Sequence, residues 1–278
     1  MAKILVTGAS GNAGGGVVRG LLEIGADVRA LVRAGSKAPV PHGVEAVAGD
    51  LNDPRTLGKS LTGVEAVFLL SGYEEIDRTL VQMREAGVER VVLLSSSAAP
   101  GGDLDNAVAR YHVLSERAVR ESGLPWTFLQ PNSFMSNALR WVPQLEVGNV
   151  IRAPFADVPV AMIDPDDLGA VAAAALTSDA HQGRAYRLSG PEALRPAEQV
   201  AILAAASGRE LRFEPQSDEE ARVEMENAMP TEYVDAFFSF FADGTVDETT
   251  VLPTVKEILR REPGTFESWA AAHADAFR

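Results

Sequence analysis

The 278-residue chain contains no cysteine. Disulfides, thiolate metal sites and cysteine nucleophiles are therefore excluded. Its four histidines (His42, His112, His181 and His273) lie far apart and form no local metal-ligand spacing, so no metal is expected. Positive charge is in short supply: 25 Lys and Arg stand against 39 Asp and Glu, a formal charge of −14 at pH 7. Phosphate backbones would be repelled, which argues against nucleic acid as a partner. Long hydrophobic runs are missing too. The most apolar stretch, LGAVAAAALTSDA, is too short and too alanine-rich to cross a bilayer. MAKILVTG enters a strand without the charged and apolar regions of a secretory signal. The expectation is a cytoplasmic protein that works on neither membranes nor nucleic acids.

What is present is rhythm. KILVTG, DVRALVR, VEAVAGD, VEAVFLLSG and VERVVLLSSS are short runs apolar on both faces, the pattern of buried parallel strands. NAGGGVVRGLLEIG and IDRTLVQMREAG between them have helical spacing and stop at glycine. This alternation predicts an α/β fold with a doubly wound parallel sheet. PWTFLQP adds a sixth strand. Beyond Pro131 the chain turns loop-rich, then mostly helical from Pro196. The expected division is a dinucleotide-binding domain over 1–131 and a small, mostly helical substrate lobe over 132–278, with about 157–190 returning to the sheet.

VTGASGNAGGGVV sets Gly8, Gly11 and Gly14 between the first strand and the first helix. A phosphate must approach bare backbone there, and the helix start offers unpaired N–H groups and a positive dipole end. Flanked by strand and helix, the triad predicts pyrophosphate binding by Gly8, Ser10, Gly11, Asn12 and Gly14. Gly15 and Gly16 are expected to permit close helix–sheet packing. At the end of the second strand an acid would accept from the ribose of NAD. Here Arg33 stands instead, followed by Ser36 and Lys37, and an arginine clamps a 2′-phosphate, so NADP(H) is favoured over NAD(H). Asp50 and Leu51 fall where adenine would lie, and Ser71, Gly72, Ser95 and Pro131 at later strand ends. Ligands of open parallel sheets bind beyond those ends. The aspartates of MIDPDD read as a helix cap at Asp164 and an acidic first turn, with no chemistry assigned.

Taken in order, VTGASGNAGGGVV, GDLND, SGLPWTFLQPNSFMSN, PVAMIDPDDLGAVAAAAL, GRAYRLSGPEAL and ILAAASGREL resemble the NmrA-like group of atypical short-chain dehydrogenases/reductases, its quinone reductase and triphenylmethane reductase branch most of all. The resemblance covers about residues 3–215 and implies a Rossmann-type domain with a C-terminal lobe and a cofactor cleft between them. Related short-chain enzymes keep a Tyr-x-x-x-Lys pair on the helix before SGLP, in which lysine lowers the tyrosine pKa for proton donation. Here Tyr111 is followed at that spacing by Ser115, and the lysine and tyrosine positions of relatives fall on His112 and Val108. Helical periodicity puts Leu114, Ala107, Ala118, Tyr111, Ser115, Val108, Val119 and His112 on a buried arc, and Glu116 among charged residues on the opposite side. Tyr111 reads as packing. His112 either touches cofactor or substrate or is a hydrogen-bonded structural histidine.

Without a proton donor, reduction of an isolated ketone is costly, whereas a conjugated acceptor needs orientation above all. The expected function is NADPH-dependent hydride transfer to a quinone-like or other conjugated aromatic substrate. His112 and Asn132 are the candidate catalytic positions, and Tyr73, Phe134 and Phe155 the candidate substrate contacts. Relatives commonly carry arginine where Gln130 stands, so no role is borrowed for it. Two alternatives stay open: a non-catalytic NADP(H)-sensing regulator, and a tailoring reductase or oxygenase for polycyclic aromatic natural products. A homodimer is compatible with either.

Overall fold

The structure is a computed structural model that describes residues 3–33, 35 and 40–278. Its strands are β1 (Lys3–Val6), β2 (Asp27–Val32), β3 (Glu45–Ala48), β4 (Val64–Leu70), β5 (Arg90–Leu94), β6 (Trp126–Pro131), β7 (Val150–Ala153), β8 (Arg184–Leu188) and β9 (Arg212–Pro215). Helices α1 (Asn12–Glu23), α2 (Gly58–Leu61), α3 (Ile76–Glu85), α4 (Ala107–Glu121), α5 (Val142–Leu145) and α6 (Pro165–Thr177) fill the first two thirds. Helices α7 (Pro196–Ser207), α8 (Asp218–Ala228), α9 (Thr231–Phe241), α10 (Thr254–Leu259) and α11 (Phe266–Ala272) complete the chain.

Seven strands form one parallel sheet in the order β3-β2-β1-β4-β5-β6-β8. The chain starts at β1, winds out to β3, then crosses back to β4, so the order reverses between β1 and β4. That is the topological switch point of a Rossmann-type sheet, where neighbouring loops diverge and leave a crevice. The central strands are apolar on both faces because helices cover both: Ile4, Val67, Phe68, Leu93 and Phe128 are each at most 1 % exposed. The β3 run does not follow this rule. It is the edge strand, and its burial is slight despite its valine and alanines, because only β2 pairs with it.

One face of the sheet is closed by α1 against α6, which approach through glycine. A Cβ on Gly16 would lie 2.2 Å from the carbonyl oxygen of Pro165, and one on Gly169 2.1 Å from that of Gly16. Gly16 thus serves helix–helix contact, not the helix–sheet contact expected from sequence. Asp164 caps α6 by accepting from the Asp166 amide at 2.9 Å. Asp166 pairs with Arg19 of α1, and the buried Asp167 takes Arg261 and the Gly264 amide. These three acids fasten helices.

A second, two-stranded parallel sheet pairs β7 with β9. No local pattern announces it: each strand is four residues long, and their pairing spans roughly sixty residues of chain. Around it α7, α11 and the residues after α11 bury Leu203, Phe266, Trp269 and Phe277 in a separate core. Among the described residues no helix is long and apolar enough to cross a membrane, and no cluster of His, Asp or Glu could hold a metal ion.

Candidate functional site

The turn between β1 and α1 is built on two glycine requirements. Gly8 has φ +65°, a region that side chains disfavour, and a Cβ on Gly14 would lie 2.2 Å from the Gly8 carbonyl oxygen. The loop closes on itself by the Gly11 amide donating to Gly8 at 2.9 Å. Gly11 then occupies the N-cap of α1 with no side chain among the described residues satisfying the first amides, and Ser10, Gly11 and Asn12 are exposed. An uncapped, twelve-residue helix aimed at the sheet's switch point fits an anionic pyrophosphate.

Other expected positions divide. Arg33 is exposed at the end of β2, with no ion pair among the described residues. Ser36 and Lys37 lie outside the described residues. Asp50 is exposed and accepts from the Asn52 amide, but Leu51 is 4 % exposed and spends its side chain on the core with Leu31 and Leu57. Ser71 donates to the Leu94 carbonyl at 2.7 Å. Gly72, at φ +91°, is tied to α4 by its amide donating to Ser115 Oγ at 3.1 Å. Ser95 is buried, and its hydroxyl donates to Glu116 Oε1 at 2.6 Å.

Glu116 corrects the helical reading of α4. It is 3 % exposed and accepts from Ser95, from Gln130 Nε2 at 2.7 Å and from Arg120 at 2.9 Å, while Leu114 is 44 % exposed. The buried face is therefore centred near Ser115, Val119 and Glu116, rotated by about 60° from the apolar arc at about 100° per residue. Periodicity missed this because the buried partner of Glu116 is a polar network with three donors. The rotation moves Tyr111 to the edge of the face and His112 toward its centre.

Tyr111 packs on Gly72, where a Cβ would meet its ring at 3.2 Å, and burial raises its pKa, with Tyr233 adding to the shift. His112 lies under the Tyr111 ring, centroids 4.2 Å apart. Burial lowers its pKa to about 3, and its buried Nδ1 has no partner among the described residues. Asn132, 2 % exposed just past β6, donates through Nδ2 to the carbonyls of Ala161 and Glu248 at 3.3 and 3.2 Å. Its Oδ1 is likewise buried without a partner. These are two unmet polar atoms near the strand ends.

Glu248 is the residue that sequence reasoning missed. Its carboxylate accepts from Ser97 Oγ at 2.6 Å, Ser133 Oγ at 2.6 Å and the Ser133 amide at 3.2 Å, and its carbonyl accepts from the Ala161 amide at 2.7 Å. The 242–252 segment is thereby fastened across the carboxyl ends of β5 and β6. DGTVDETT carries no local pattern that predicts such a role.

From Ser133 a pocket of about 450 Å³ opens into the lobe between the 135–141 turn, α8 and α9. Phe155, Met225, Met229 and Phe241 line it, with Arg140 and Gln144 among its polar groups. Phe155 has φ +55° and contacts the rings of Phe238 and Phe241 at 5.1 and 5.3 Å between centroids. Two other expected substrate contacts are elsewhere. Phe134 bridges to Ile163 and packs into the main core, and Tyr73 lies within electrostatic reach of Arg33 and Asp50, with its pKa raised mainly by burial. Of the α9 aromatics, Phe237 and Phe241 face the pocket and Phe238 and Phe240 are core. A larger trough of about 670 Å³ beside α3 is walled by charges already paired with each other, Arg55 with Asp53 and Arg78 with Glu75.

Comparison with known proteins agrees with this architecture. The chain is 41% identical over 279 residues to the (4-alkanoyl-5-oxo-2,5-dihydrofuran-3-yl)methyl phosphate reductase of Streptomyces griseus, covering 99% of each chain. It is 37% identical over 287 residues to the NAD(P)H azoreductase of Xenophilus azovorans, again covering 99% of each. The crystal structure of Citrobacter sp. triphenylmethane reductase complexed with NADP(H) superposes with a TM-score of 0.78 at 24% identity, covering 98% of this chain and 99% of that one. The model of the NmrA-like family matches residues 1–270, and the chain belongs to that family.

Proposed function

We propose that the acceptor reduced by this NAD(P)H-dependent oxidoreductase is a conjugated, electron-poor molecule that needs no side-chain acid, with NADP(H) preferred to NAD(H). The observation that carries the reading is the state of α4. No Tyr-x-x-x-Lys occurs in the chain, Tyr111 has Ser115 one turn on, and burial holds its proton more tightly, not less. His112 is neutral at ordinary pH and cannot act as an imidazolium acid. Hydride addition to an isolated ketone would leave a localised alkoxide, whereas a conjugated system spreads the negative charge and takes its proton from water afterwards. The activities of the relatives support this. A 4-alkanoyl-5-oxo-2,5-dihydrofuran has its ring C=C conjugated to two carbonyls, and an azo group is likewise unsaturated and electron-poor. The acceptor class therefore extends beyond the aromatic one expected from sequence.

Gly8, Ser10, Gly11, Asn12 and Gly14, with the open amides of α1, would hold the pyrophosphate, and Arg33 the 2′-phosphate. Asp50, Gly72 and Pro131 would line the same cleft, where Tyr73 walls the adenine side. When bound, the nicotinamide supplies the hydride. The chain's own part is positioning. Asn132, fixed by the Ala161 and Glu248 carbonyls, offers Oδ1 as an acceptor for an amide or hydroxyl, and His112 offers a neutral ring nitrogen. Phe155 and Phe241 provide flat apolar walls that exclude water from the acceptor. NADPH consumption by the purified protein with menadione, an azo dye, an α-acylbutenolide and cyclohexanone tests the reading. Turnover of conjugated members and none of cyclohexanone is expected. Equal rates with cyclohexanone, or no NADPH oxidation by any acceptor, would overturn it.

A further inference from the structure

The pocket that starts at Ser133 contains an arginine that the protein itself does not neutralise. The Arg140 side chain has no hydrogen bond and no ion pair among the described residues; its guanidinium lies 6.0 Å from the centroid of the neighbouring Trp141 ring. Other arginines with no ion pair among the described residues, such as Arg117, Arg184 and Arg212, are exposed and line no pocket, whereas Arg140 stands in the wall of this one. The nearby basic side chains are all taken: Arg152 pairs with Glu220 at 3.0 Å, and Arg222 with Asp235 at 2.6 Å. Surrounding protein lowers the Arg140 pKa through burial, yet the residue's own surface is open. Both hold together because the side chain stands inside a concavity and not within packed core.

The rest of the wall is apolar and adaptable. Met225 and Met229 are unbranched and can conform to an irregular or flexible chain. Phe155 is held in the left-handed region, a conformation costly for a non-glycine residue, and its ring is thereby set against Phe238 and Phe241. Glu224 also lines the pocket, accepting from Gln216 Nε2 at 2.5 Å. An anion would be repelled there and drawn to Arg140, which gives a bound ligand one direction. A volume of about 450 Å³ suits a small amphiphile.

We infer that this pocket selects a substrate carrying both an anionic group, carboxylate or phosphate, held by Arg140, and an apolar chain or ring seated against Phe155, Met225, Met229 and Phe241. This deepens the reductase reading and rests on it for the word substrate, but the pocket can be tested without turnover. The probes are decyl phosphate, decanoate and decanol, below their aggregation concentrations, titrated into full-length protein and followed by calorimetry and by Trp141 fluorescence. Wild-type protein binds at least one of the two anions about tenfold more tightly than decanol, as expected for a charge-assisted contact. Decyl phosphate ahead of decanoate identifies a phosphate head, and the reverse order a carboxylate.

Arg140→Gln brings the anions to the level of decanol, and Arg140→Lys keeps part of the preference. Met229→Trp, which fills the pocket, weakens all three probes. The inference is overturned if the head group makes no difference in wild type, if Arg140→Gln leaves the preference intact, or if Met229→Trp leaves binding unchanged. NADP⁺ calorimetry separates the two readings. Heat with NADP⁺ but no head-group preference sinks only the pocket assignment. Head-group preference with no NADP⁺ heat sinks the reductase reading and leaves the pocket standing.

Discussion

Two neighbouring glycines in α1 should respond to the same substitution with opposite signs. At Gly16 an added Cβ would sit 2.2 Å from the Pro165 carbonyl oxygen and 2.9 Å from its carbon, both backbone atoms of α6. Restoring ordinary contact at 3.4 Å needs a displacement of about 1.2 Å between the two helices that close one face of the sheet. Overpacking of this kind costs roughly 1–3 kcal/mol, and the upper end applies because neither backbone can rotate away. Alanine's better helix propensity returns about 0.8–1 kcal/mol, so Gly16→Ala should lose about 2 kcal/mol. At Gly15 the nearest atoms are the mobile end of Arg19 at 3.5 Å and the Ala9 carbonyl oxygen at 3.6 Å, ordinary contacts. Gly15→Ala should therefore gain about 0.5–1 kcal/mol. Urea unfolding of the nucleotide-free protein, with thermal scans beside it, reads the difference. At about 2–4 °C per kcal/mol, the two midpoints should separate by roughly 5–10 °C. A Gly16→Ala protein as stable as wild type would refute the close helix approach, and equal losses at both sites would refute the geometry of α1.

Arg33→Asp should weaken NADPH binding about 10- to 100-fold, the loss of a charge-assisted phosphate contact worth roughly 1.5–3 kcal/mol, and leave NADH unaffected or improved by calorimetry. Unchanged affinity for both coenzymes would remove Arg33 from the site. His112→Ala should slow turnover of a conjugated acceptor more than Tyr111→Phe does; the reverse ranking would restore the tyrosine as proton donor. The same histidine has a stability signature. Its folded pKa of about 3 lies below the unfolded value near 6.5, so only the unfolded state gains the proton in between. Its contribution is complete above that unfolded value and is lost as pH falls toward 3, by at most about 1.4 kcal/mol per pH unit. His112→Gln should flatten that acid limb in urea titrations at stepped pH, and an unaltered limb would place the ring in water.

How much of the site was legible depended on whether a residue's role is local. Gly8 and Gly14 were readable because a strand–turn–helix imposes its dihedral and contact demands within seven residues of chain, and the Asp164 cap likewise acts over two. Leu51 and Ser95 were placed at the correct strand ends, but topology fixes only where a backbone runs. Side-chain direction was set by partners elsewhere, the core cluster for Leu51 and Glu116 for Ser95. Tyr73 and Phe134 do not line the lobe pocket for the same reason.

The order of apolar runs and glycine stops was enough to specify the parallel sheet, its switch point and the open end of α1, because each follows from the intrinsic preferences of contiguous residues. What needed three dimensions was every feature made by segments distant along the chain. Glu248 reaches Ser97 across 151 positions, β7 finds β9, Glu116 turns inward to meet Gln130, and Arg140 comes to line a pocket with no carboxylate partner among the described residues. A charge or a polar atom takes its energy from whatever surrounds it in the folded state, and that environment is assembled only when the lobe closes over the strand ends.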